Sequence, residues 1–502
     1  MTQLMVHLPI LVIIFPLGAA LLNPVFGYFN TNISKKIIIS SLFLSMVCAF
    51  LQLMQIVKTG EVIHYYMGGW APPIGIEFVI DGLNGVIILL VAVIAWMTAL
   101  YSSPFEKFEK EISNMRSVAY YSMLTLLAVG LMGMSSTGDA FNLYVFMEIV
   151  ALSSYGLIAI GEDKGPIAAF RYLMIGTIGA SMYLLGVGFL YVATGTLNMQ
   201  DMARMMPDLV NSPLIAMAAA CLIVGFGIKM ALFPLHQWQP GAYTNAHSGA
   251  APLISGVGFK IPAYAMLRFF FCIFEETSPM MAIFFDIIGI MAILGVLYGS
   301  LKALQYDSYN KILAFSSIGQ VGYIAMGFAI GNYYGIIGAV LHIISHTFMK
   351  AGLFFTSGAL KYKYGIKNIS QFGQLYRENP ATALALTICS LSMIGLPPFA
   401  GFFSKWYLAL GAIQNGQYYY VIVLILSSLL GAVYFFRIIE KLFMDEKTAV
   451  VKESCCSNSL ELPWQMIVIM IIIAVAIVAI GLGNSYIVNN VLNTTVMEVL
   501  LS

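Results

Sequence analysis

Long apolar segments separated by short polar connections run through the whole chain. A segment of about 20 apolar residues is long enough to cross the hydrocarbon core of a bilayer, and counting such segments gives about fourteen spans. A helix satisfies its backbone hydrogen bonds within one such segment, so the pattern predicts an all-α integral membrane protein. The predicted spans are centred near Ile14, Leu44, Val91, Thr125, Ile149, Met182, Cys221, Ala263, Ile290, Gly322, Ser345, Thr387, Leu426 and Ala474.

Composition agrees with this class. Of the 502 residues, 60% are hydrophobic and 9% are charged, whereas about a quarter of the residues are charged in an ordinary soluble domain. The first apolar run starts at Leu8 without a basic flank, which is typical of a retained helix and not of a signal peptide. The cysteines are scattered, and Cys455 and Cys456 share a polar loop. Adjacent cysteines rarely bridge each other, so neither a disulfide framework nor a zinc site is indicated.

The connecting loops differ strongly in charge. If the N-terminus is outside, the loops on the outer side hold few basic residues beyond Lys58, Arg204 and Arg268. Basic residues concentrate in cytoplasmic loops, so both termini are expected to face away from the cytoplasm. The set of loops predicted to be cytoplasmic holds Lys35, Lys36, Lys107, Lys110, Arg116, Lys164, Arg171, Lys302, Lys311, Lys361, Lys363, Lys367, Arg377, Arg437, Lys441, Lys447 and Lys452.

Two predicted spans contain proline at membrane depth. The seventh runs into Pro234, and the twelfth contains Pro397 and Pro398 between two glycines. Proline removes an amide donor, so both helices are expected to break. Broken backbone at this depth is tolerated only inside protein or beside water.

The two breaks lie about five helices apart, a spacing typical of inverted repeats with ion sites at the breaks. We therefore expect two inverted five-helix repeats, a prediction based on topology alone because sequence identity between the halves is weak. The expected divisions are residues 1–110 (helices 1–3 with an exterior loop), 111–275 (first repeat, helices 4–8), 276–445 (second repeat, helices 9–13) and 446–502 (a polar loop and helix 14).

Ionisable residues also lie inside the predicted spans. A charge in hydrocarbon is costly, so each is a functional candidate by default. Both signs of charge and two imidazoles occur together, which indicates movement of protons or cations. The alternative for Glu148, Lys229 and Lys260 is a structural ion pair or an interhelical hydrogen bond. The residues are Glu148, Lys229, Lys260, His342, His346, Lys350 and Lys405.

His342, His346 and Lys350 follow one another at intervals of four residues and therefore share one face of the eleventh span. Imidazole titrates near neutral pH, which favours a proton relay. The rival interpretation is a zinc site, but no Glu follows His342 and no carboxylate or cysteine is close in sequence, so no metal is predicted. His236 and His247 flank the broken seventh span and are either loop residues or an ion-uptake site.

The chain shows no cysteine cluster spaced for iron-sulfur ligation and no glycine-rich dinucleotide fingerprint. We therefore predict no cofactor, and any redox chemistry belongs to other subunits. A stand-alone substrate symporter would require a central polar pocket, whereas the polar residues here form a file.

Several long motifs resemble the antiporter-like membrane subunits shared by respiratory complex I, membrane-bound hydrogenases and the multisubunit Mrp cation/proton antiporters. Residues 67–81 (MGGWAPPIGIEFVID) are most similar to the D-type subunits of the Mrp antiporters. The other motifs are residues 229–238 (KMALFPLHQW), 246–252 (AHSGAAP), 260–268 (KIPAYAMLR), 311–317 (KILAFSS), 342–354 (HIISHTFMKAGLF) and 395–405 (GLPPFAGFFSK).

The resemblance implies a role for each candidate residue. Glu148 and Lys229 match the carboxylate and lysine of the first half-channel, Lys260 the central lysine and Lys405 the terminal lysine of the second half-channel. The residues that connect them are His342, His346 and Lys350. Two positions depart from the pattern. Pro262 replaces a usual glycine, which predicts altered helix geometry around Lys260, and Arg171 replaces a common lysine with its charge kept.

The expected function is therefore proton translocation within a multisubunit cation/proton antiporter, in the manner of the D-type Mrp subunits, with exchange of sodium for protons. One alternative is a proton-pumping subunit of an NADH:quinone oxidoreductase (complex I) or a membrane-bound hydrogenase. Another is a non-conducting structural paralogue, which the presence of Glu148 and Lys229 disfavours. The implied partners are other membrane subunits, protons, sodium ions and the lipid bilayer, with no nucleic acid. The implied location is the plasma membrane of a prokaryote.

Overall fold

Helices account for nearly all of the chain in the computed structural model, which describes residues 5–105, 114–162, 164–209, 211–274, 279–444 and 461–492. The exception among these residues is one antiparallel hairpin, formed by β1 (Ile63–Tyr66) and β2 (Glu77–Ile80), in which Ile63 lies opposite Ile80. The all-α class is thus confirmed, with a small hairpin in the predicted exterior loop.

The helices of the first half of the chain are α1 (Leu8–Phe29), α2 (Thr31–Thr59), α3 (Gly82–Ser102), α4 (Asn114–Ser136), α5 (Ala140–Ala159), α6 (Gly165–Thr194), α7 (Met199–Leu209), α8 (Pro213–Lys229), α9 (Gln239–Asn245), α10 (Ala251–Gly256) and α11 (Lys260–Cys272). Those of the second half are α12 (Pro279–Leu304), α13 (Tyr309–Ile330), α14 (Tyr333–Tyr364), α15 (Leu375–Glu378), α16 (Pro380–Ile394), α17 (Ala400–Gln414), α18 (Tyr418–Phe443), α19 (Trp464–Leu482) and α20 (Asn484–Ile487). Short helical turns at Met67–Gly69, Ile369–Gln371 and Val488–Leu492 complete the set.

In the described part of the chain, 12 helical stretches are long and apolar enough to cross a membrane. The stretch Ala251–Cys272, which contains α10 and α11, is one of them. Two shorter apolar helices, α8 and α16, stand where the seventh and twelfth spans were predicted. The predicted count of about fourteen spans included these two helices, which in the structure are shorter than a full span.

Both predicted helix breaks are present. α8 ends at Lys229 and helix resumes in α9, while α16 ends at Ile394 and helix resumes in α17. Gly395 follows α16 with a φ of 90°, a left-handed conformation that glycine adopts without a steric penalty. The two prolines after it cannot donate the amide hydrogen bonds that would continue the helix.

A third break separates α10 from α11, and the sequence did not predict it. The interruption covers Val257, Gly258 and Phe259, directly before Lys260. Pro262 is the third residue of α11. The first four amides of a helix have no acceptor within it, so the proline costs no hydrogen bond there. The altered geometry around Lys260 is therefore a helix start, and Pro262 occupies the turn that tolerates it.

Burial differs sharply between the spans. In α13 and α14, 94% of the most apolar stretch is buried, whereas the corresponding share is 33% in α2 and α12. The exposed side chains of these outer helices include Phe43, Ile283 and Leu294, which is typical of a surface that faces lipid tails. The inner helices therefore carry the candidate ion-translocation residues away from lipid.

Candidate ion-translocation site

The first pair of candidates joins two helices. Lys229, the last residue of α8, extends its Nζ to within 3.2 Å of Oε1 of Glu148 on α5. Lys229 is buried, and Glu148 is about a quarter exposed. A buried lysine needs a partner, because removal of an unpaired charge from water costs several kcal/mol, roughly the penalty per ion found in proteins. The structure thus brings together two residues that are 81 positions apart in sequence.

Aromatic residues hold the chain after Lys229. The ring of Trp238 stacks on Tyr172 of α6 with a centroid distance of 3.8 Å and an angle of 6°. Its Nε1 donates a hydrogen bond of 2.8 Å to the carbonyl of Ile228, at the end of α8. A carbonyl in the last turn of a helix lacks an intrahelical donor, so the indole supplies one.

His236 is buried after the same break, between the rings of Phe233 and Tyr298. It lines a cavity of about 520 Å³ together with Lys164 and Arg171. His247 lies elsewhere. Its Nδ1 accepts the amide hydrogen of Gly249 at 3.1 Å, and its ring packs against Tyr120 and Phe105. Of the two histidines proposed for ion uptake, His236 therefore has the more suitable position.

Lys260 lies at the third break and caps the helix before it. Its Nζ donates to the carbonyl of Ser255 at 3.1 Å and to the carbonyl of Gly256. The same ammonium group lies 4.4 Å from the centre of the Phe259 ring. The last carbonyls of α10 have no intrahelical donor, so the lysine replaces the amides of a continued helix.

The histidine and lysine stripe runs through the interior on α14. The rings of His342 and His346 are stacked, with centroids 5.5 Å apart and an angle of 11°. Nδ1 of His342 forms a hydrogen bond of 3.0 Å with Oγ of Ser404 on α17. Neither ring nitrogen of His346 has a hydrogen-bond partner among the described residues. These are fully buried imidazoles with free hydrogen-bonding capacity.

Lys350 is held by α13. Its Nζ donates to the carbonyl of Leu313 at 2.7 Å and to Oγ of Ser316 at 2.8 Å. No carboxylate is among these partners. The charge of Lys350 is therefore stabilised by neutral dipoles.

Lys405 caps the second predicted break in the same way. Its Nζ donates to the carbonyls of Met393 at 3.2 Å and Ile394 at 2.8 Å, and to Oγ of Ser428 at 3.1 Å. In an uninterrupted helix these two carbonyls would accept from the amides of residues 397 and 398, four positions later. Both positions are proline, so the carbonyls stay free for the lysine.

The charges of the interior act on one another. His346 is within electrostatic range of Lys260, Lys350 and Lys405, and Lys260 is within range of Lys350. At about 6 Å and an effective dielectric constant of about 20, two unit charges interact by roughly 3 kcal/mol. A change in the charge of His346 would therefore change the electrostatic energy of Lys260, Lys350 and Lys405.

A metal site at His342 and His346 would need a third ligand. Within the described segments, no group of three or more His, Cys, Asp and Glu residues could hold a metal ion. Cys455 and Cys456 lie outside the described residues.

The sequence did not predict the serine hydroxyls that contact the candidate residues. Ser316, Ser404 and Ser428 each contact one of the candidate residues. A serine in an apolar span is common, so no local pattern singles them out. The useful signal is the proline pair in the twelfth span, because it identifies which carbonyls become free.

With this geometry in view, a family model described as "NADH:quinone oxidoreductase/Mrp antiporter, TM" matches residues 137–431. The chain belongs to this family. The match includes every candidate from Glu148 to Lys405. The expected superfamily is thus confirmed, and the chain is an antiporter-like membrane subunit of the group that contains complex I and the Mrp antiporters.

Relatives by sequence occur on both sides of the superfamily. The chain is 39% identical to "NADH-quinone oxidoreductase subunit N" of Desulforudis audaxviator over 97% of this chain and 98% of the relative. It is 29% identical to "Putative antiporter subunit mnhD2" of Staphylococcus aureus over 96% of this chain and 94% of the relative.

Solved structures agree on the fold. A chain of the membrane-bound sulfane sulfur reductase, an archaeal respiratory membrane complex, matches with a TM-score of 0.90 and 31% identity, over 98% of both chains. A chain of the Mrp complex from Dietzia sp. DQ12-45-1b matches with a TM-score of 0.85 and 23% identity, over 99% of both chains. These neighbours are subunits of multisubunit membrane complexes.

Proposed function

We propose that this protein translocates protons across the membrane along an axis that begins at Glu148 and Lys229 and ends at Lys405. The observation that carries the proposal is a carboxylate-lysine pair in the same helical bundle as a file of buried, titratable groups. Ionisable groups kept at this depth mark ion pathways by default. The residues between the two ends are Lys260, His342, His346 and Lys350.

Protons enter the axis through the cavity beside His236. This cavity is lined by Lys164 and Arg171, at the start of α6, which the charge pattern predicts to lie on the cytoplasmic side. The chain sits in the plasma membrane of a prokaryote with both termini outside. Residues 111–275 and 276–445 act as two inverted repeats, and each contributes broken helices to the axis.

The complex we propose is a multisubunit antiporter of the Mrp type, which exchanges sodium for protons. Two observations support an antiporter of this type. Residues 67–81 are similar to the D-type Mrp subunits, and the chain is 29% identical to a putative antiporter subunit. The partners are then the other membrane subunits of that complex.

A second candidate is a redox-driven proton pump. The 39% identity to a chain named as an NADH-quinone oxidoreductase subunit favours it, as does the 31% identity to a chain of a sulfur reductase complex. In that case electrons are handled by other subunits, and this chain contributes the proton path alone.

Proton movement in membrane vesicles that contain the assembled complex tests the proposal. A pH-sensitive dye reports the internal pH after a sodium gradient is applied without an electron donor, and separately after NADH is added without sodium. The matched variants are Lys229→Ala and Lys58→Ala, since Lys58 is exposed at the end of α2.

Sodium-driven proton movement that is lost in Lys229→Ala and kept in Lys58→Ala is the expected result. Movement that occurs only with NADH would replace the antiporter by the redox pump. An assembled parent complex that moves no protons under either drive would contradict proton translocation by this chain.

A further inference from the structure

The polar stripe on α14 does not end at Lys350. Ser357 lies seven residues after Lys350, and Lys361 lies eleven residues after it. This spacing keeps both on the same helical face as His346 and Lys350. Ser357 is partly exposed, and its Oγ donates to Oδ1 of Asn310 on α13 at 2.5 Å. The stripe therefore continues from the buried interior to the end of the helix.

A second cavity opens at this end of α14. Its volume is about 240 Å³, and its lining includes Glu162, Asn310, Ser357 and Lys361. Lys164 lines both this cavity and the one beside His236. The two cavities therefore adjoin on one side of the protein, which we name the lysine-rich face for Lys164, Lys361 and Lys367.

Glu162 ties the rim of this cavity together. Its carboxylate pairs with Lys361 and, at 2.8 Å, with Lys367. Burial raises the pKa of Glu162, but the hydrogen bonds and charges of the two lysines outweigh it, so its pKa lies below the ordinary value. Glu162 is thus ionised at neutral pH.

Hydrogen-bonding groups lie between the cavity and Lys350. The hydroxyl of Tyr309 lies 3.1 Å from Oγ1 of Thr356 and 3.5 Å from the carbonyl of Leu353. Leu353 is one turn from Lys350 on α14, and the carbonyl of Leu313, one turn from Tyr309 on α13, accepts from Nζ of Lys350. Between Ser357 and Lys350, the seam between α13 and α14 therefore contains the hydroxyls of Thr356 and Tyr309.

We propose that this seam is a second proton-uptake route, which leads from the cavity at Glu162 past Tyr309 directly to Lys350. It rests on the proposed function and adds an uptake point in the middle of the axis, which loads Lys350 in the same cycle that uses the pair at Lys229. Ser357 and Asn310 form its outer section, and the hydroxyl of Tyr309 bridges the last apolar turn before Lys350.

Labelling tests whether water reaches the seam. Ser357→Cys in the assembled complex is treated from the lysine-rich face with the membrane-impermeant anion sulfonatoethyl methanethiosulfonate, whose charge suits a lining with three lysines and one carboxylate. The control is Ser345→Cys, a fully buried serine on the same helix, and the treated parent gives the background of its natural cysteines. We expect Ser357→Cys to react and Ser345→Cys to stay unlabelled.

Transport tests whether the seam feeds Lys350. Tyr309→Phe removes the bridging hydroxyl and keeps the ring. The matched control is Tyr183→Phe, because the hydroxyl of Tyr183 is equally buried and donates to the carbonyl of Ala140 at 2.9 Å on other helices. Proton movement is expected to be about tenfold slower in Tyr309→Phe, the factor for one lost hydrogen bond, and unchanged in Tyr183→Phe.

Transport by Tyr309→Phe at the parent rate overturns the inference, and so does labelling of Ser357→Cys no faster than that of Ser345→Cys. Should the parent complex move no protons at all, the proposed function fails. The reactivity of Ser357→Cys still decides whether the route is open to water.

Discussion

Two lysines mark the two predicted helix breaks, and the protein holds them differently. Lys229 ends α8 and pairs with the carboxylate of Glu148. Lys405 follows the other break and is held by two backbone carbonyls and the hydroxyl of Ser428. Among the described residues, the first lysine therefore has a charged partner, and the partners of the second are neutral.

This difference sets what each lysine leaves behind when it gives up a proton. Deprotonation of Lys229 leaves Glu148, which is about a quarter exposed, without its charged partner, and a cation or another proton can then replace that partner. Deprotonation of Lys405 leaves neutral dipoles, which need no replacement charge. The first break is suited to exchange of one charge for another, and the second to release.

The largest expected effect comes from breaking the pair. Glu148→Ala and Lys229→Ala should each slow proton movement about a hundredfold or more, because removal of one partner leaves a buried charge uncompensated. Lys229→Arg should fail as well, since guanidinium hardly releases its proton. Vesicle assays of the assembled complex measure this, with Lys58→Ala as the control. Near-normal transport in both alanine variants would remove the pair from the pathway.

The proline pair offers the sharpest test of Lys405. Replacement of Pro397 and Pro398 together by alanine restores the two amides that can bond to the carbonyls of Met393 and Ile394. Lys405 then loses these acceptors, and we expect transport to fall about tenfold while membrane insertion is kept. Pro380→Ala is the control, because Pro380 is the first residue of α16, where no amide bond is needed. Parent-rate transport in the double variant would mean that the break is incidental.

A smaller effect is expected between the two lysines, at the imidazoles. His346→Gln keeps hydrogen-bonding capacity but does not titrate near neutral pH, so transport should slow several-fold and change its pH dependence. His342→Gln should behave likewise and should also disturb the bond to Ser404. Metal analysis of the purified complex is the check. Stoichiometric metal in the parent that is absent from both variants would replace the relay by a metal site.

The smallest effect concerns the ion pairs of Glu162 on the lysine-rich face. Because its pKa is lowered in the folded protein, Glu162 contributes stability at neutral pH that is lost as the pH falls through that pKa. Both lysines are partly exposed, so Glu162→Gln should cost below about 1 kcal/mol. The gap in thermal unfolding midpoint between parent and variant should narrow as the pH falls below the ordinary pKa of glutamate and close only below the lowered pKa of Glu162. A gap that persists there, or an equal one for the exposed Glu61→Gln, would show that the ion pairs contribute nothing.

The sequence predicted the breaks at Pro234 and Pro397 because proline acts through its own missing amide, which is a local property. Pro262 predicted altered geometry around Lys260, because its missing amide leaves the carbonyl of Gly258 without a helical donor, but the sequence did not predict a break over Val257, Gly258 and Phe259. Lys260 satisfies the carbonyls of Ser255 and Gly256 that the break exposes, and this contact could not be predicted from the sequence. The hairpin after α2 was likewise unforeseen, since its strands are only 4 residues long.

The candidate site divides in the same way. Ionisable residues in apolar segments are conspicuous, so Glu148, Lys229 and the stripe on α14 could be predicted from the chain alone. Their partners could not, because the contact between Lys350 and Ser316 joins positions 34 residues apart. Ser316 differs in no local respect from other serines in the spans. Such contacts depend on which helices become neighbours, and that is decided by the packing of the whole bundle.

The stacked rings of Tyr172 and Trp238 hold the chain in place after the first break. To swing the chain beyond Lys229, the molecule would have to unstack two aromatic rings and free the carbonyl of Ile228 from its indole donor. These contacts oppose movement of the backbone at this break, so proton transfer of the kind proposed would depend on rearrangement of side chains and water beside it.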